Sequence, residues 1–120
     1  MSNAISWFEI PSTNFERAVK FYSELLETEL QPMDMEFKMA FFPYKDGGVG
    51  GCVTNGNGNT PSQEGTFAYL NGGDDLSVPL ARVEKAGGKI LMPKTSIGEN
   101  GFMAIFLDTE GNRVAFHSMT

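Results

Sequence analysis

Apolar and polar positions along this chain follow two periods, and the order of those periods repeats once. Residues 5–10 are rich in β-branched and aromatic side chains, which predicts a strand that ends at Pro11. Behind it, residues 15–26 carry apolar side chains at helical spacing, namely Phe15, Ala18, Val19, Tyr22, Leu25 and Leu26. Residues 66–88 repeat the order of strand, polar turn and helix. The pattern therefore predicts one strand followed by one helix in each half.

Polar and glycine residues mark where the two helices begin and end. Thr13 and Glu16 have the spacing of a capping box, in which a hydroxyl and a carboxylate each bind a free helix N–H group. Asn14 is the alternative N-cap. In the second half, Pro79 fits a helix only near its first turn, and the pair Gly87-Gly88 favours the helix end.

Strand-like segments follow each helix. In the first half, apolar residues alternate with polar ones at Met33, Met35, Phe37 and Met39, and two further strands are predicted over residues 38–44 and 49–54. In the second half, three strands are predicted over residues 89–92, 102–108 and 113–119, with a hairpin at 109–112. The pattern predicts an α+β fold of two βαβββ modules, with helices on one side of a largely antiparallel sheet.

A chain of 120 residues predicts a single domain over residues 1–120. Module one is expected at about residues 4–54 and module two at about residues 66–119. The loop over residues 55–65, rich in glycine and asparagine, joins the modules or closes over a cavity between them.

Charge and cysteine content limit the partners. The formal net charge of −6 argues against nucleic acid and against an anionic membrane surface. No segment approaches the roughly 18 apolar residues of a membrane span. A single cysteine, Cys52, cannot form an internal disulfide, which favours a reducing compartment and makes the cytoplasm the expected location.

Several segments together resemble one known family. These are the opening strand with Pro11, FERAVKFY at residues 15–22, AGG at residues 86–88 and DTEGN at residues 108–112. In that order and spacing, the chain resembles the vicinal-oxygen-chelate superfamily, the glyoxalase, bleomycin-resistance and extradiol-dioxygenase group. The resemblance implies a curved sheet around a central cup, with a divalent metal at the base of the cup in the enzymes.

The positions that the resemblance assigns to metal ligands hold the wrong side chains. They fall on Trp7, on Phe67 or Ala68, and on Ala115. Indole, phenyl and methyl groups cannot coordinate a divalent cation. We therefore expect no metal and no other cofactor. A substitute ligand set of Glu9, Cys52 and His117 is the disfavoured alternative.

Glu9 and His117 are the candidate catalytic residues. Strand parity puts Glu9 beside Trp7 on the face that looks into the cup, where a carboxylate among aromatic rings would suit a general base. The alternative is a Glu9 that pairs with a lysine or arginine or points to water. His117 is a candidate acid, base or ligand contact, and its alternative is a solvated histidine on an edge strand. Cys52 is expected to be an inert buried thiol.

The candidate ligand-binding residues of the cup are Trp7, Phe67, Tyr69, Met103 and Ala115. A flat indole at the cup base would stack on a planar ligand, although it would equally fill the space of the missing metal. The leading hypothesis is a metal-free homodimer that binds a small, partly apolar, planar molecule, with cavities completed by the partner chain. One alternative is a metal-dependent lyase, isomerase or dioxygenase of the same superfamily, or an acid–base enzyme using Glu9 and His117. Another is an accessory protein that uses its surface.

Overall fold

The structure, a computed structural model, describes residues 3–34 and 36–120, so the predicted position of Met35 in the alternation lies outside the described residues. Two helices and eight strands follow in chain order: β1 (Trp7–Pro11), α1 (Phe15–Leu26), β2 (Gln31–Asp34), β3 (Lys38–Phe41), β4 (Gly50–Asn55), β5 (Tyr69–Asn71), α2 (Ser77–Leu80), β6 (Lys89–Ser96), β7 (Phe102–Leu107) and β8 (Arg113–Ser118). A 3₁₀ turn, Gly98–Asn100, separates β6 from β7.

The strands form two sheets of four. The first has the order β1-β4-β3-β2 and the second has the order β5-β8-β7-β6. In each sheet the first pair is parallel, and the other pairs are antiparallel. The predicted α+β fold of two βαβββ modules is confirmed.

The N-cap of α1 is Asn14, the predicted alternative to the capping box. The side chain of Asn14 accepts a hydrogen bond from the backbone N–H of Arg17, 3.1 Å away. The Thr13 hydroxyl instead donates to a carboxylate oxygen of Glu110, at 3.1 Å. The capping-box prediction is wrong, because a carboxylate from the other end of the chain binds Thr13.

α2 is much shorter than the sequence predicts. It covers Ser77–Leu80 only, and the chain then continues through turns up to Gly87. Because Pro79 has no N–H group, one helical hydrogen bond is absent from this segment. The chain still leaves the helical region at the predicted Gly87-Gly88 pair.

The strands of module two differ from the prediction in length. β5 is limited to Tyr69–Asn71, although Ala68 already accepts a hydrogen bond from Ala115 of β8. β6 continues to Ser96 because β7 pairs with β6 from Lys89 to Ser96. The register of this pairing shifts on either side of Met92. Pro93, which cannot donate a ladder hydrogen bond, is accommodated within this irregular edge strand.

The helices and one side of each sheet form a common apolar core. α1 contributes Tyr22, and its neighbour Phe21 contacts Phe106 of the second sheet with ring centroids 6.1 Å apart. The buried strand residues include Ile10, Ala40, Val53, Leu70, Ala104, Phe106, Val114 and Phe116. Since side chains alternate along a strand, the residues between these point to the side opposite the core.

Candidate functional site

Each sheet has a second side that points away from the helices, and this side carries the predicted site residues. We call this side of the first sheet face one; it contains Trp7, Glu9, Phe41 and Cys52. The same side of the second sheet is face two; with the preceding segment it contains Phe67, Tyr69, Met103, Arg113, Ala115 and His117. Face one thus belongs to module one and face two to module two.

On face one, Glu9 accepts hydrogen bonds from three side chains, those of Asn57, Trp7 and Cys52. Asn57 donates its amide N–H to Glu9 Oε1 at 3.0 Å, and the Trp7 indole N–H lies 3.4 Å from Glu9 Oε2. Trp7 also contacts the ring of Phe41 edge-on, with centroids 6.0 Å apart. The carboxylate of Glu9 is therefore exposed but held in one orientation, with no lysine or arginine bound to it among the described residues.

Cys52 lies behind this pair and is fully buried. Its sulfur is 4.0 Å from Glu9 Oε2. Burial, together with the negative charge of Glu9, raises the pKa of the Cys52 thiol to about 11. A thiol in this state is a poor nucleophile at neutral pH, so the expectation of an inert thiol agrees with the geometry.

On face two, the aromatic candidates contact one another. The rings of Phe67 and Tyr69 stack with centroids 5.3 Å apart, and the Tyr69 hydroxyl lies 3.7 Å from the sulfur of Met103. Ala115 is directly opposite Tyr69 in the parallel pair of β5 and β8. Four of the five predicted ligand-binding residues are thus together, while the fifth, Trp7, lies on face one.

Arg113 is a member of face two that the sequence analysis did not single out. Its guanidinium lies over the ring of Phe67, 4.4 Å from the centroid. The alternation of side chains along a strand could have identified it. Arg113 is two residues before Ala115 in the same strand, so the two side chains share a face. Face two therefore combines a cation with the aromatic surface.

His117 is not on an edge strand, because β8 lies between β5 and β7. The edge-strand alternative is therefore wrong. The imidazole is half-buried, and its Nε2 is 2.6 Å from the carbonyl oxygen of Asn100. No hydrogen bond or ring contact joins Glu9 to His117 within residues 3–34 and 36–120, and the two candidate catalytic residues belong to different faces.

The two modules match in register. Ser12 donates its backbone N–H to Thr54 at 2.8 Å, and Gly72 donates to His117 at 2.7 Å, each just after the first strand of its module. Ser12 and Gly72 are therefore equivalent positions in the two modules. Trp7 lies five residues before Ser12, and Phe67 lies five residues before Gly72, so Phe67 rather than Ala68 is the counterpart of Trp7.

The donor atoms on the two faces do not fit a divalent metal. Where the resemblance places metal ligands, the chain has the indole of Trp7, the phenyl ring of Phe67 and the methyl group of Ala115, none of which is a ligand. In the part of the chain that the structure describes, no three His, Cys, Asp or Glu side chains are grouped as a metal site would require. Glu9 and Cys52 are close to each other but lack a third partner there.

The loop between the modules is hydrogen-bonded to both of them. Asn57 binds Glu9 of β1, as described above, and Ser62 accepts the backbone N–H of Arg113 at 3.2 Å while donating its own to Asn112. The loop therefore borders face one at one end and face two at the other.

Two grooves lie on the helical side of the molecule. A groove of about 530 Å³ separates α1 from the edge of the first sheet, and one of about 540 Å³ lies between α1 and the turn before β6. Trp7, Glu9 and Tyr69 line neither groove. Trp7 and Glu9 of face one and Tyr69 of face two are exposed in the single chain.

No helix in the described ranges is both long and apolar enough to cross a membrane.

Two βαβββ modules, with the candidate site residues on the sheet faces opposite the helices, are the architecture of a glyoxalase-like protein. The family model described as Glyoxalase/Bleomycin resistance protein/Dioxygenase superfamily matches residues 4–116, and the chain belongs to this superfamily. A "glyoxylase-like domain-containing protein" from Didymella fabae is 36% identical over an alignment of 118 positions, and the alignment covers 90% of this chain and 88% of that protein.

Solved structures agree with this fold. A glyoxalase I mutant from Zea mays superposes with a TM-score of 0.71 at 24% identity, covering 94% of this chain but only 45% of that chain. The fosfomycin resistance protein FosX from Listeria monocytogenes has a TM-score of 0.68 at 15% identity, over 100% of this chain and 96% of its own. A glyoxalase-related enzyme from Fulvimarina pelagi has a TM-score of 0.69 at 16% identity, over 98% and 88%. At these identities the likeness shows the fold alone.

Proposed function

We propose that this protein binds a small, planar, partly apolar molecule without a metal, in a cavity formed by face one of one copy and face two of a second. The observation that carries the proposal is the exposure of aromatic side chains opposite the helices. Trp7 is 40% exposed and Tyr69 is 50% exposed. Aromatic rings bury large apolar areas when they stack on a partner, so rings left open on a surface favour a ligand or a subunit there.

The need for a second copy follows from the position of the two faces. Among the described residues, no salt bridge or aromatic contact joins the named side chains of face one to those of face two, and the two grooves on the helical side include neither Trp7 nor Tyr69. Face one carries the negative charge of Glu9, and face two carries the positive charge of Arg113. In a two-fold dimer, face one of each copy meets face two of the other, so opposite charges and apolar rings are brought together twice.

A metal-free site is supported by the chemistry of the side chains. The potential donors of the proposed cavity are Glu9 and Cys52 of face one and His117 of face two. Cys52 is a protonated thiol at neutral pH because its pKa is about 11, and Nε2 of His117 already lies 2.6 Å from the carbonyl oxygen of Asn100. We expect no stoichiometric metal in protein purified without chelators, and no change in melting temperature with Mg²⁺, Mn²⁺, Fe²⁺, Co²⁺, Ni²⁺ or Zn²⁺. A bound ion at a hundred times its dissociation constant would add about 2.7 kcal/mol to the unfolding free energy. Such a shift would reverse this part of the proposal.

The chain has a single tryptophan, Trp7, so its fluorescence reports on face one directly. We expect light scattering after gel filtration to give a dimer, and a planar aromatic probe such as 2-naphthamide to quench the fluorescence with saturation. Tyr69→Ala should weaken binding of the probe, while Val78→Ala, which shortens an exposed side chain on α2, should not. A monomer, or equal effects of the two variants, would contradict the proposal.

An acid–base enzyme is the second candidate, and the orientation of Glu9 favours it. Two N–H donors hold the carboxylate while leaving it exposed, as a general base requires. In the proposed dimer, Glu9 of one copy would face the same cavity as His117 of the other. Turnover of a bound ligand that is lost in Glu9→Gln, with affinity retained, would favour this candidate over simple binding. The reducing cytoplasm remains the proposed location.

A further inference from the structure

Face two is ordered into three rows of side chains that run across its strands. Opposed residues of paired strands share a face, so the pairing defines each row. The first row contains Lys89, Leu107 and Arg113; the second contains Met92, Ile105, Ala115 and Tyr69; the third contains Thr95, Met103, His117 and Asn71. The face thus changes from cationic at one end, through an apolar middle, to polar at the other end.

The cations of the first row are not neutralised by acidic neighbours. The salt bridges among the described residues engage Arg17, Lys38, Arg82 and Lys94, and none engages Lys89 or Arg113. This is unexpected in a chain with a net charge of −6, in which acidic side chains outnumber basic ones. An unpaired arginine, half-buried beside an apolar surface, favours an anionic partner.

The stacking of Arg113 on Phe67 leaves its hydrogen-bonding edge available. The guanidinium carbon lies over the ring, 4.4 Å from the centroid, and no salt bridge engages Arg113 among the described residues. Its N–H groups lie in the plane of the group, so they remain able to form the paired hydrogen bonds that a carboxylate accepts. The aromatic contact therefore restrains the cation in position without occupying its donors.

We propose that the ligand of this site is an aromatic carboxylic acid, whose carboxylate binds Arg113 and whose ring stacks on Tyr69 above Ala115. Adjacent rows are two residues apart along β5, β7 and β8, or about 7 Å, and three residues apart along the irregular strand β6. The spacing of about 7 Å between Arg113 and Ala115 suits an acid group attached directly to a two-ring body. Lys89 adds a second positive charge beside the carboxylate. The inference rests on the proposed function and deepens it, since it names the charge and shape of the ligand.

Two matched probes test the inference: 2-naphthoate and its neutral counterpart 2-naphthamide, titrated by calorimetry. Wild type should bind the acid at least about tenfold more tightly than the amide, which corresponds to about 1.4 kcal/mol. Arg113→Gln should remove this preference without changing the affinity for the amide. Arg113→Lys, which keeps the charge but loses the planar fork, should give an intermediate preference.

Lys85→Gln is the control, since it removes one positive charge from the helical side of the molecule. It should retain the full preference for the acid. Equal affinities of wild type for the two probes, or equal losses in Arg113→Gln and Lys85→Gln, would overturn the inference while leaving the proposed function intact. Binding of neither probe would overturn both. If Arg113→Gln does not fold, the same comparison in Arg113→Lys still decides the outcome.

Discussion

Glu110 and Arg17 connect the two ends of the chain. Arg17 of α1 donates from Nε to Glu110 Oε2 at 2.7 Å and from its terminal nitrogen to Oε1 at 3.1 Å. The same carboxylate accepts the backbone N–H groups of Thr13 and Asn14 at 2.9 and 2.8 Å. The Glu110 side chain is fully buried although Arg17 is half exposed. The hairpin before β8 thus anchors the first turn of the helix of module one.

Glu110→Gln should lower the free energy of unfolding by about 2 kcal/mol, because charged hydrogen bonds at a buried carboxylate are lost. In a domain of this size the melting temperature should fall by roughly 8 °C. Glu16→Gln is the control, since Glu16 pairs with Lys38 at the surface and such pairs contribute about 0–1 kcal/mol. Similar losses in the two variants, measured by chemical denaturation, would contradict this role of Glu110.

Glu110 should also make stability depend on pH. Burial alone would raise its pKa, but hydrogen bonds from Arg17 and from the Asn14 and Thr13 backbone outweigh it and lower the pKa from 4.5 to about 2. A carboxyl group with a lowered pKa in the folded state stabilises the protein above its unfolded pKa. This contribution should be lost as the pH falls from about 4.5 to about 2. Denaturation curves of Glu110→Gln should show a smaller loss over the same interval.

Tyr22→Phe tests the second link between the modules. The fully buried Tyr22 hydroxyl donates to Asp108 Oδ2 at 2.6 Å. Removing the hydroxyl should cost about 1–2 kcal/mol, and the loss should remain moderate because Asn112 still donates to Asp108 Oδ2 at 2.9 Å. Unchanged unfolding in urea would mean that the Asn112 contact is sufficient by itself.

The start of α1 offers a direct comparison of two neighbouring residues. Asn14→Ala removes the side-chain cap of the helix and should cost about 1 kcal/mol. Thr13→Ala removes only a hydroxyl bound to Glu110, whose carboxylate keeps its other donors, so we expect a smaller loss. Thermal melting of both variants checks the order, and a larger effect of Thr13→Ala would favour the capping box after all.

Local patterns predicted the helices and strands because these elements depend mainly on residues that are close in sequence. The apolar spacing of residues 15–26 determines α1, and alternation puts Trp7 and Glu9 on one side of β1. The cap was misassigned because the group that binds Thr13, Glu110, is distant in sequence. The length of α2 was overestimated for a related reason: only the packing of residues 81–87 decides whether turns or a regular helix follow Pro79.

The candidate site was predicted less completely than the fold. Alternation along β1 placed Glu9 beside Trp7, but which strands become neighbours depends on pairing across the chain, which no local pattern specifies. For that reason the sequence could not show that Trp7 lies on one sheet while Tyr69, with Phe67 before it, lies on the other. Arg113 was missed because a single arginine in a strand has no motif, and its importance appears only from its place over Phe67.

The reactivity of Cys52 tests the geometry of face one. The thiol is fully buried and its pKa is raised to about 11, first by burial and then by the charge of Glu9. Since reaction requires the thiolate, the rate with Ellman's reagent at pH 7.5 should be at least about a hundredfold lower in the folded protein than in guanidinium. Glu9→Gln should speed the reaction of the folded protein, because removing the nearby charge favours the thiolate, whereas Glu16→Gln should not. Fast labelling of folded wild type would mean that Trp7 and Glu9 do not cover the sulfur, and the proposed arrangement of face one would then be wrong.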